Sequence, residues 1–167
     1  MNMAGKKKKK KNGGEKPGSP FIKNRRAWKE FHIHEKLECG LELTGTEVKS
    51  IRDGGAKIGE AYVRLENSEL FLVGANIAPY RHADSEIQHN PARKRKLLAH
   101  KSQIAALRAH VHQKGRTLVP LALYFHRGRV KLEVGLAEGK KKYDKREAIR
   151  KKQQKREIDS GMRRKSR

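Results

Sequence analysis

The segment FHIHEKLECGLEL, residues 31–43, has a strand pattern from which the rest of the fold can be predicted. Its odd positions are mostly apolar, and its even positions are His, Lys, Glu or Gly. Side chains that alternate with period 2 indicate a half-buried β-strand, and a strand of this length is expected to bend at Gly40, so that it serves two sides of a curved sheet. The apolar odd positions, which we expect on one face, are Phe31, Ile33, Leu37, Cys39, Leu41 and Leu43.

A short helix is predicted directly after this strand. Thr44 stands three residues before Glu47, which is the spacing of a capping box at a helix start. Val48 and Ile51 are expected to point inwards, and the glycine pair at 54–55 is expected to end the helix. The sequence therefore predicts a strand, a turn and a helix of two turns.

Two hairpins are predicted in the remainder of the patterned region. Alternating apolar residues indicate strands at 61–65 and 70–77, joined by a polar turn. A second pair of strands is predicted at 117–125 and 129–136, with a tight turn at 127–128.

Between the hairpins, a long helix is predicted to begin at Asn90, with Pro91 in its first position, and to end at Gly115. Five strands with helices inserted between hairpins predict a mainly β (α+β) fold, a small closed antiparallel barrel. The apolar residues that we expect on one face of the long helix are Leu97, Leu98, Ile104, Leu107 and Val111.

The charge of the chain is large and uneven. The 167 residues carry a net charge of +24, with 10 basic and 1 acidic residue in 1–26 and 14 basic and 4 acidic residues in 139–167. Such a charge favours an anionic partner, most simply nucleic acid. We expect a folded domain at 24–138, between a disordered Lys-rich arm at 1–23 and the basic tail.

The cysteine count and the lengths of the apolar stretches limit the cellular location that we expect for the protein. Cys39 is the only cysteine, so no intrachain disulfide and no zinc site with two thiolates is expected. The lysine run at 6–11 is not followed by an apolar segment, and no apolar stretch is long enough to span a bilayer. We expect a reducing, cytoplasmic location, no export signal and no membrane anchor.

The C-terminal tail has an internal order that a simple charge run lacks. Asp144 followed by Glu147 forms an N-cap pair, residues 145–160 are rich in helix formers, and Gly161 is suited to end a helix. Few apolar side chains are available to offset the entropy of ordering the tail. We therefore expect the tail to be disordered when free and helical once a polyanionic partner orders it.

Four motifs in this order closely resemble the small protein B (SsrA-binding protein) family. The resemblance extends from about residue 24 to about residue 157. The motifs are LTGTEVKS at 43–50, FLVGANIAPY at 71–80, RKLL at 95–98 and GKKKYDKRE at 139–147.

This resemblance implies an OB-like barrel that binds the tRNA-like domain of transfer-messenger RNA (SsrA) and delivers it to stalled ribosomes for trans-translation. It also implies a non-enzymatic adaptor without a cofactor, which acts in a delivery complex that contains elongation factor Tu. The tail is implied to enter the empty mRNA channel of the small subunit, near the decoding centre, and to become helical there.

The resemblance further implies a protein that works as a monomer. It also assigns roles to individual residues of this chain. The residues implied in RNA binding are Glu38, Leu98 and Lys131, flanked by Asn24, Arg25 and Arg26. The residues implied in ribosome binding by the tail are Gly139, Lys140, Lys141, Tyr143, Asp144, Lys145 and Arg146, with Tyr143 placed to stack on an exposed rRNA base.

Each of these residues also has a plainer interpretation. Lys131 and Glu38 are interpretable as solvated strand residues, and Leu98 as a core residue of the long helix. For the whole chain, the alternative is a structural ribonucleoprotein component, such as a ribosomal protein whose tails penetrate rRNA. A ribosomal protein is expected to co-purify in equal amounts with all ribosomes, whereas an adaptor associates with a stalled minority.

A third class, a nucleic-acid-processing enzyme, has weaker support. His32 or His34 with Glu42 and Lys131 supplies the residue types of an acid–base pair and a charge stabiliser. Any basic protein with surface histidines permits the same assignment, and no carboxylate or thiol completes a metal-binding spacing with these histidines. We therefore expect no catalytic residues, no metal and no cofactor.

Overall fold

The computed structural model describes residues 20–111, 115–141 and 153–154. Gln153 and Gln154 are helical, and the other residues beyond Lys141 lie outside the described part. The predictions of a disordered arm at 1–23 and of a helical tail therefore concern residues that fall mainly outside it. Residues 22–23 of the predicted arm instead form a strand that pairs with Ala122 and Leu123, so the folded part begins before residue 24.

The described part is mainly β-structure with three α-helices. All of its strand pairs are antiparallel. The elements in chain order are β1 (Ile22–Lys23), α1 (Arg25–Glu30), β2 (Phe31–Leu41), α2 (Gly45–Arg52), β3 (Ala56–Lys57), β4 (Tyr62–Glu66), β5 (Glu69–Val73), β6 (Asn76–Ile77), a 3₁₀ turn (Ser85–Ile87), β7 (Arg95–Leu98), α3 (Lys101–Val111), β8 (Arg116–His126) and β9 (Arg129–Gly139).

The large sheet closes on itself, which confirms the predicted fold class. Its strand order is β1-β8-β4-β5-β7-β2-β9, and an additional pairing of β8 with β9 joins the two sides into a ring. Both predicted hairpins are present, as β4–β5 and β8–β9. The tight turn of the second hairpin has positive φ at Arg127 (50°) and Gly128 (77°), as a two-residue hairpin turn requires.

The long helix predicted from Asn90 to Gly115 is wrong in its first half. The segment Arg95–Leu98 is strand β7, which pairs with β5 on one side and β2 on the other, and only Lys101–Val111 is helical. Tertiary pairing overrides local helix propensity here, because β7 fills the gap between two strand edges and so closes the ring.

The single face predicted for residues 31–43 is also wrong in part. The register of β2 against β9 shifts between Ile33 and Glu35, so His34 is an extra residue. Such a bulge moves the side chains on its two sides to opposite faces of the sheet. Leu37 packs against the main core inside the ring, whereas Phe31 and Ile33 pack into a second cluster on the outside.

This outer cluster lies under α1. Ala27 of the helix is buried in one cluster with Val119 and Leu121 of β8 and Ala137 of β9. Gly135 leaves room for this packing, since a Cβ atom at this position would lie 2.9 Å from Leu121 Cδ1 and Leu121 would have to shift. Helix α1 thus covers one part of the outer surface of the ring.

The main core fills the inside of the ring with aliphatic side chains from almost every strand and from α2. Its most deeply buried members include Ile51, Leu70, Leu72, Leu97, Leu118, Leu123, Leu132 and Val134.

The predicted capping box is present at the start of α2, where the Thr44 backbone N–H donates to Glu47 Oε2 at 2.8 Å. Ile51 points inwards as predicted, and Gly54 ends the helix with a φ of 79°. Glu47 itself is fully buried, which the sequence did not predict. Arg93 and Arg95 both donate to its carboxylate, with Nε to Oε1 distances of 2.8 Å.

Arg95 is fully buried as well, and its remaining donors are used on backbone carbonyls. Its guanidinium donates to the carbonyl oxygens of Ala75 at 3.0 Å, Arg93 at 2.8 Å and Pro91 at 2.9 Å. A buried charge is tolerated when it is paired and fully hydrogen-bonded. We call Glu47, Arg93 and Arg95 the buried ion network.

The network determines the pKa of Glu47. Burial by itself raises this pKa, but hydrogen bonds from Arg93, the Thr44 backbone and Arg95 together lower it from 4.5 to about 2. Since the folded pKa lies below the unfolded one, the interaction stabilises the fold fully above pH ~4.5 and is lost as the pH falls towards 2.

We predict that Glu47→Gln lowers the free energy of unfolding at pH 7 by about 3–5 kcal/mol, because it leaves Arg95 buried without a counter-charge. Between pH 6 and pH 3, the wild type should lose about 2 kcal/mol more than the variant. Urea unfolding at both pH values measures both effects.

The matched control is Glu69→Gln, since Glu69 forms an exposed ion pair with Lys96. It should cost less than about 1 kcal/mol. Equal acid sensitivity of the wild type and Glu47→Gln would contradict the assignment.

Candidate nucleic-acid interface

A row of four residues crosses the outer surface of the ring beside α1. Gly40 on β2 lies opposite Leu98 on β7 and opposite Lys131 on β9, and Lys131 lies opposite Tyr124 on β8. Directly opposed residues of antiparallel strands share a face. Leu98, Gly40, Lys131 and Tyr124 therefore form one line, which we call the cross-strand row, about 14 Å long from the spacing of strands.

Leu98 is 51% exposed, so the interpretation as a core residue is excluded. The alternation of β7 buries Leu97 and turns Leu98 outwards. Gly40 lies beside it, and a Cβ atom at this position would be 3.3 Å from Leu98 Cβ. Because Gly40 has no side chain, the surface is lower at this point of the row than at its neighbours, an apolar side chain and a cation.

Glu38 links Tyr124 and Lys131 at the other end of the row. Its carboxylate accepts a hydrogen bond from the Tyr124 hydroxyl and forms an ion pair with Lys131, with Nζ 3.3 Å from Oε1. The Tyr124 hydrogen bond is the main cause that lowers the pKa of Glu38, and Lys131 lowers it further. Glu38 is therefore an ionised residue that orients the basic side chain of Lys131. This role differs from the alternative interpretation of Glu38 as a solvated strand residue.

An aromatic pair extends the row, and sequence reasoning missed it. The ring of Phe21 stacks on Tyr124, with centroids 5.7 Å apart and an interplanar angle of 23°. Phe21 is 62% exposed. The available signal was the position of Tyr124 in β8, since it lies one residue after the inward-facing Leu123 and therefore points outwards.

Helix α1 forms a wall at the neighbouring side of this surface. Trp28 is 38% exposed, and the ammonium groups of Lys36 and Lys23 lie 4.7 Å and 5.5 Å from its ring centroid. Lys36 also pairs with Glu133, at 3.4 Å. Lys36 and Glu38 lie on the same face of β2, so the wall adjoins the cross-strand row.

The three flanking residues predicted at the start of α1 differ in their surroundings. Asn24 is buried at 4% exposure, its Oδ1 accepts from the Ala27 backbone N–H, and its amide donates to two carbonyls, those of Ile58 and Pro120. Arg26 pairs with two glutamates, whereas Arg25 is exposed. Asn24 thus holds α1 in place, and only the arginines are accessible to a partner.

The predicted tail residues begin where β9 ends. Gly139 lies opposite Phe31, and Lys140 donates to two carbonyls at the end of α1. Lys141 is the next described residue. The other predicted tail residues lie outside the described part: Tyr143, Asp144, Lys145 and Arg146.

Two residues of the enzyme alternative have carboxylate partners outside the proposed acid–base set. His34 pairs with Glu138 at 3.1 Å, and Lys131 pairs with Glu38. Within residues 20–111, 115–141 and 153–154, no group of three or more His, Cys, Asp or Glu side chains is arranged to hold a metal ion. Over the same residues, no helix has the length and apolar character needed to cross a membrane.

Comparison with known proteins points to one family. The family model described as SmpB protein matches residues 21–164. SsrA-binding proteins of Syntrophobacter fumaroxidans and Myxococcus xanthus are 47% and 46% identical to this chain, over 139 and 157 residues. These alignments cover 83% and 93% of this chain, and 86% and 96% of the two relatives.

A solved structure described as "tmRNA-SmpB: a journey to the center of the bacterial ribosome" contains a similar chain. Its TM-score is 0.63 at 44% sequence identity, and the match covers 78% of this chain and 95% of that one. The family resemblance inferred from four short motifs is thereby confirmed over most of the sequence. The chain belongs to the SmpB protein family.

Proposed function

We propose that this protein is an RNA-binding adaptor that binds the tRNA-like domain of transfer-messenger RNA and delivers it to stalled ribosomes. The observation that carries the proposal is the cross-strand row, which presents Leu98 and an oriented Lys131 on an open outer surface. The names of the relatives, SsrA-binding proteins, agree with it.

The row has the chemistry needed to bind a folded RNA by shape. Lys131 supplies a point charge for a phosphate, while Leu98 at one end and the Phe21–Tyr124 pair at the other supply apolar contact for unstacked bases. Gly40 allows the RNA backbone to approach the sheet closely between them. Base sequence is not read in this arrangement, so recognition depends mainly on RNA shape.

Glu38 does not repel RNA in this arrangement, because its charge is already neutralised. Both carboxylate oxygens have partners, Tyr124 and Lys131. The carboxylate holds the ammonium group at a fixed place and so lowers the entropy lost when a phosphate binds to it. Glu38 is thus a positioning residue for Lys131.

The basic extensions complete the proposal. The ring, together with β1 and Phe21, holds the RNA, and the tail that follows β9 enters the empty mRNA channel near the decoding centre of the small subunit. The tail motif at 139–146 contacts rRNA, with Tyr143 stacking on a base. The protein acts as a cytoplasmic, non-enzymatic monomer without a cofactor, in a delivery complex with elongation factor Tu.

We predict that the purified protein prefers transfer-messenger RNA to ordinary tRNA and duplex DNA at physiological salt. Lys131→Ala should weaken this binding about tenfold. It should also lower the slope of log affinity against log salt concentration by about 1. Fluorescence titration at several salt concentrations measures both quantities. The matched control is Lys94→Ala, which removes the same charge from a lysine paired with Glu66 outside the row.

Equal binding to all three nucleic acids, disappearing as salt rises, would contradict the proposal and favour simple charge attraction. Equal amounts of the protein on all ribosomes in a cell extract would instead favour the ribosomal-protein alternative.

We predict that Tyr124→Phe raises the pKa of Glu38 towards its ordinary value, because the hydroxyl that mainly lowers this pKa is removed. Transfer-messenger RNA affinity should fall about threefold as Lys131 loses its fixed position. Carboxyl NMR titration and RNA binding are the measurements. Tyr62→Phe is the control, since Tyr62 on β4 lies outside the row.

We predict that Asp144→Ala combined with Arg146→Ala leaves transfer-messenger RNA affinity intact and abolishes tagging of peptides on stalled ribosomes. The reason is that both residues belong to the tail motif and not to the cross-strand row. Arg156→Ala with Asp159→Ala makes the same charge change outside the motif and serves as control. Normal tagging by the first variant would overturn the two-site scheme.

A further inference from the structure

The tail leaves the domain next to the C-terminal end of α1, where Lys140 bonds to the helix through its backbone and its side chain. Gly139, the last residue of β9, lies opposite Phe31, the first residue of β2. A Cβ atom at Gly139 would meet nothing within 4 Å, so there is open space beside the chain at this position. The next residue, Lys140, makes the contacts that fix the path.

Lys140 closes the C-terminal end of α1. Its backbone N–H donates to the Glu30 carbonyl at 2.9 Å, and its Nζ donates to the Trp28 carbonyl at 3.0 Å. The last carbonyls of a helix have no partner inside the helix, and a cation is favoured there by the helix dipole. Phe31 supplies the third such bond, from its N–H to the Ala27 carbonyl.

Helix α1 is itself firmly attached to the ring. Asn24 at its start binds the carbonyls of Ile58 at 3.0 Å and Pro120 at 2.9 Å, and Ala27 is buried against the outer cluster. Trp28 lies beside Lys36, next to the cross-strand row. A bond from Lys140 to α1 therefore fixes the position of the start of the tail relative to the surface that holds the RNA.

We propose that Lys140 is a positioning residue that clamps the root of the tail to the C-terminal end of α1 and so sets the direction in which the tail leaves. This inference rests on the proposed function and changes the role of Lys140 from an rRNA contact to an internal anchor. The tail residues beyond it then start from a fixed point relative to the bound RNA.

The test compares Lys140→Ala with Lys57→Ala, which removes the same charge from an exposed lysine of β3. In Lys140→Ala, amide exchange at residues 31 and 140 should become about tenfold faster, and tagging should fall about fivefold, while transfer-messenger RNA affinity changes less than twofold. Lys140→Arg should restore both properties. Lys57→Ala should leave amide exchange unchanged at both positions.

Unchanged amide exchange in Lys140→Ala would overturn the anchor and return Lys140 to the set of direct contacts. Faster exchange with normal tagging would show that the anchor does not position the tail, which also overturns the proposal. Failure of the wild type to bind transfer-messenger RNA or to support tagging would count against the proposed function itself, and amide exchange would still decide the anchor.

Discussion

The structure depends on one constraint: strand β2 must pair with β9 along most of its length and then with β7 at its end. Gly40 makes both pairings, opposite Lys131 on one side and Leu98 on the other. A sheet that closes into a ring has fewer unpaired strand edges and encloses one apolar core. The change of partner at Gly40 is also what places an apolar side chain and a cation side by side on the outer surface.

The buried ion network controls which face of β7 is turned outwards. Arg95 begins β7 and points inwards to Glu47, so alternation along the strand buries Leu97 and exposes Leu98. A polar interaction in the interior thereby fixes the position of an apolar residue on the surface. Its energy is offset by the desolvation of two charges, which makes its effect on register more important than its net contribution to stability.

One part of the outer surface of the ring is covered by α1, and another part is exposed. The bulge at His34 turns the start of β2 outwards, where Ile33 packs beneath α1, while the later part of the strand leaves its outer face open. Helix α1 consequently borders the cross-strand row and also receives Lys140 at its end. One short helix connects the proposed RNA surface with the beginning of the tail.

The sequence alone determined the fold class, the two hairpins, the capping box of α2 and the family, because these follow from local alternation, turn residues and short motifs. It also named Glu38, Leu98 and Lys131 through the family resemblance. Local patterns did not reveal how the carboxylate, the leucine and the lysine are brought together.

Three features became visible in the folded protein alone: residues 95–98 form a strand, the bulge at His34 reverses a face, and Glu47 is buried. Each depends on partners distant in sequence: β7 needs two strand edges, the bulge needs the register of β9, and Glu47 needs Arg95. A charge is tolerated in the interior only when its counter-charge is buried beside it. No local sequence pattern shows which distant residue supplies that counter-charge.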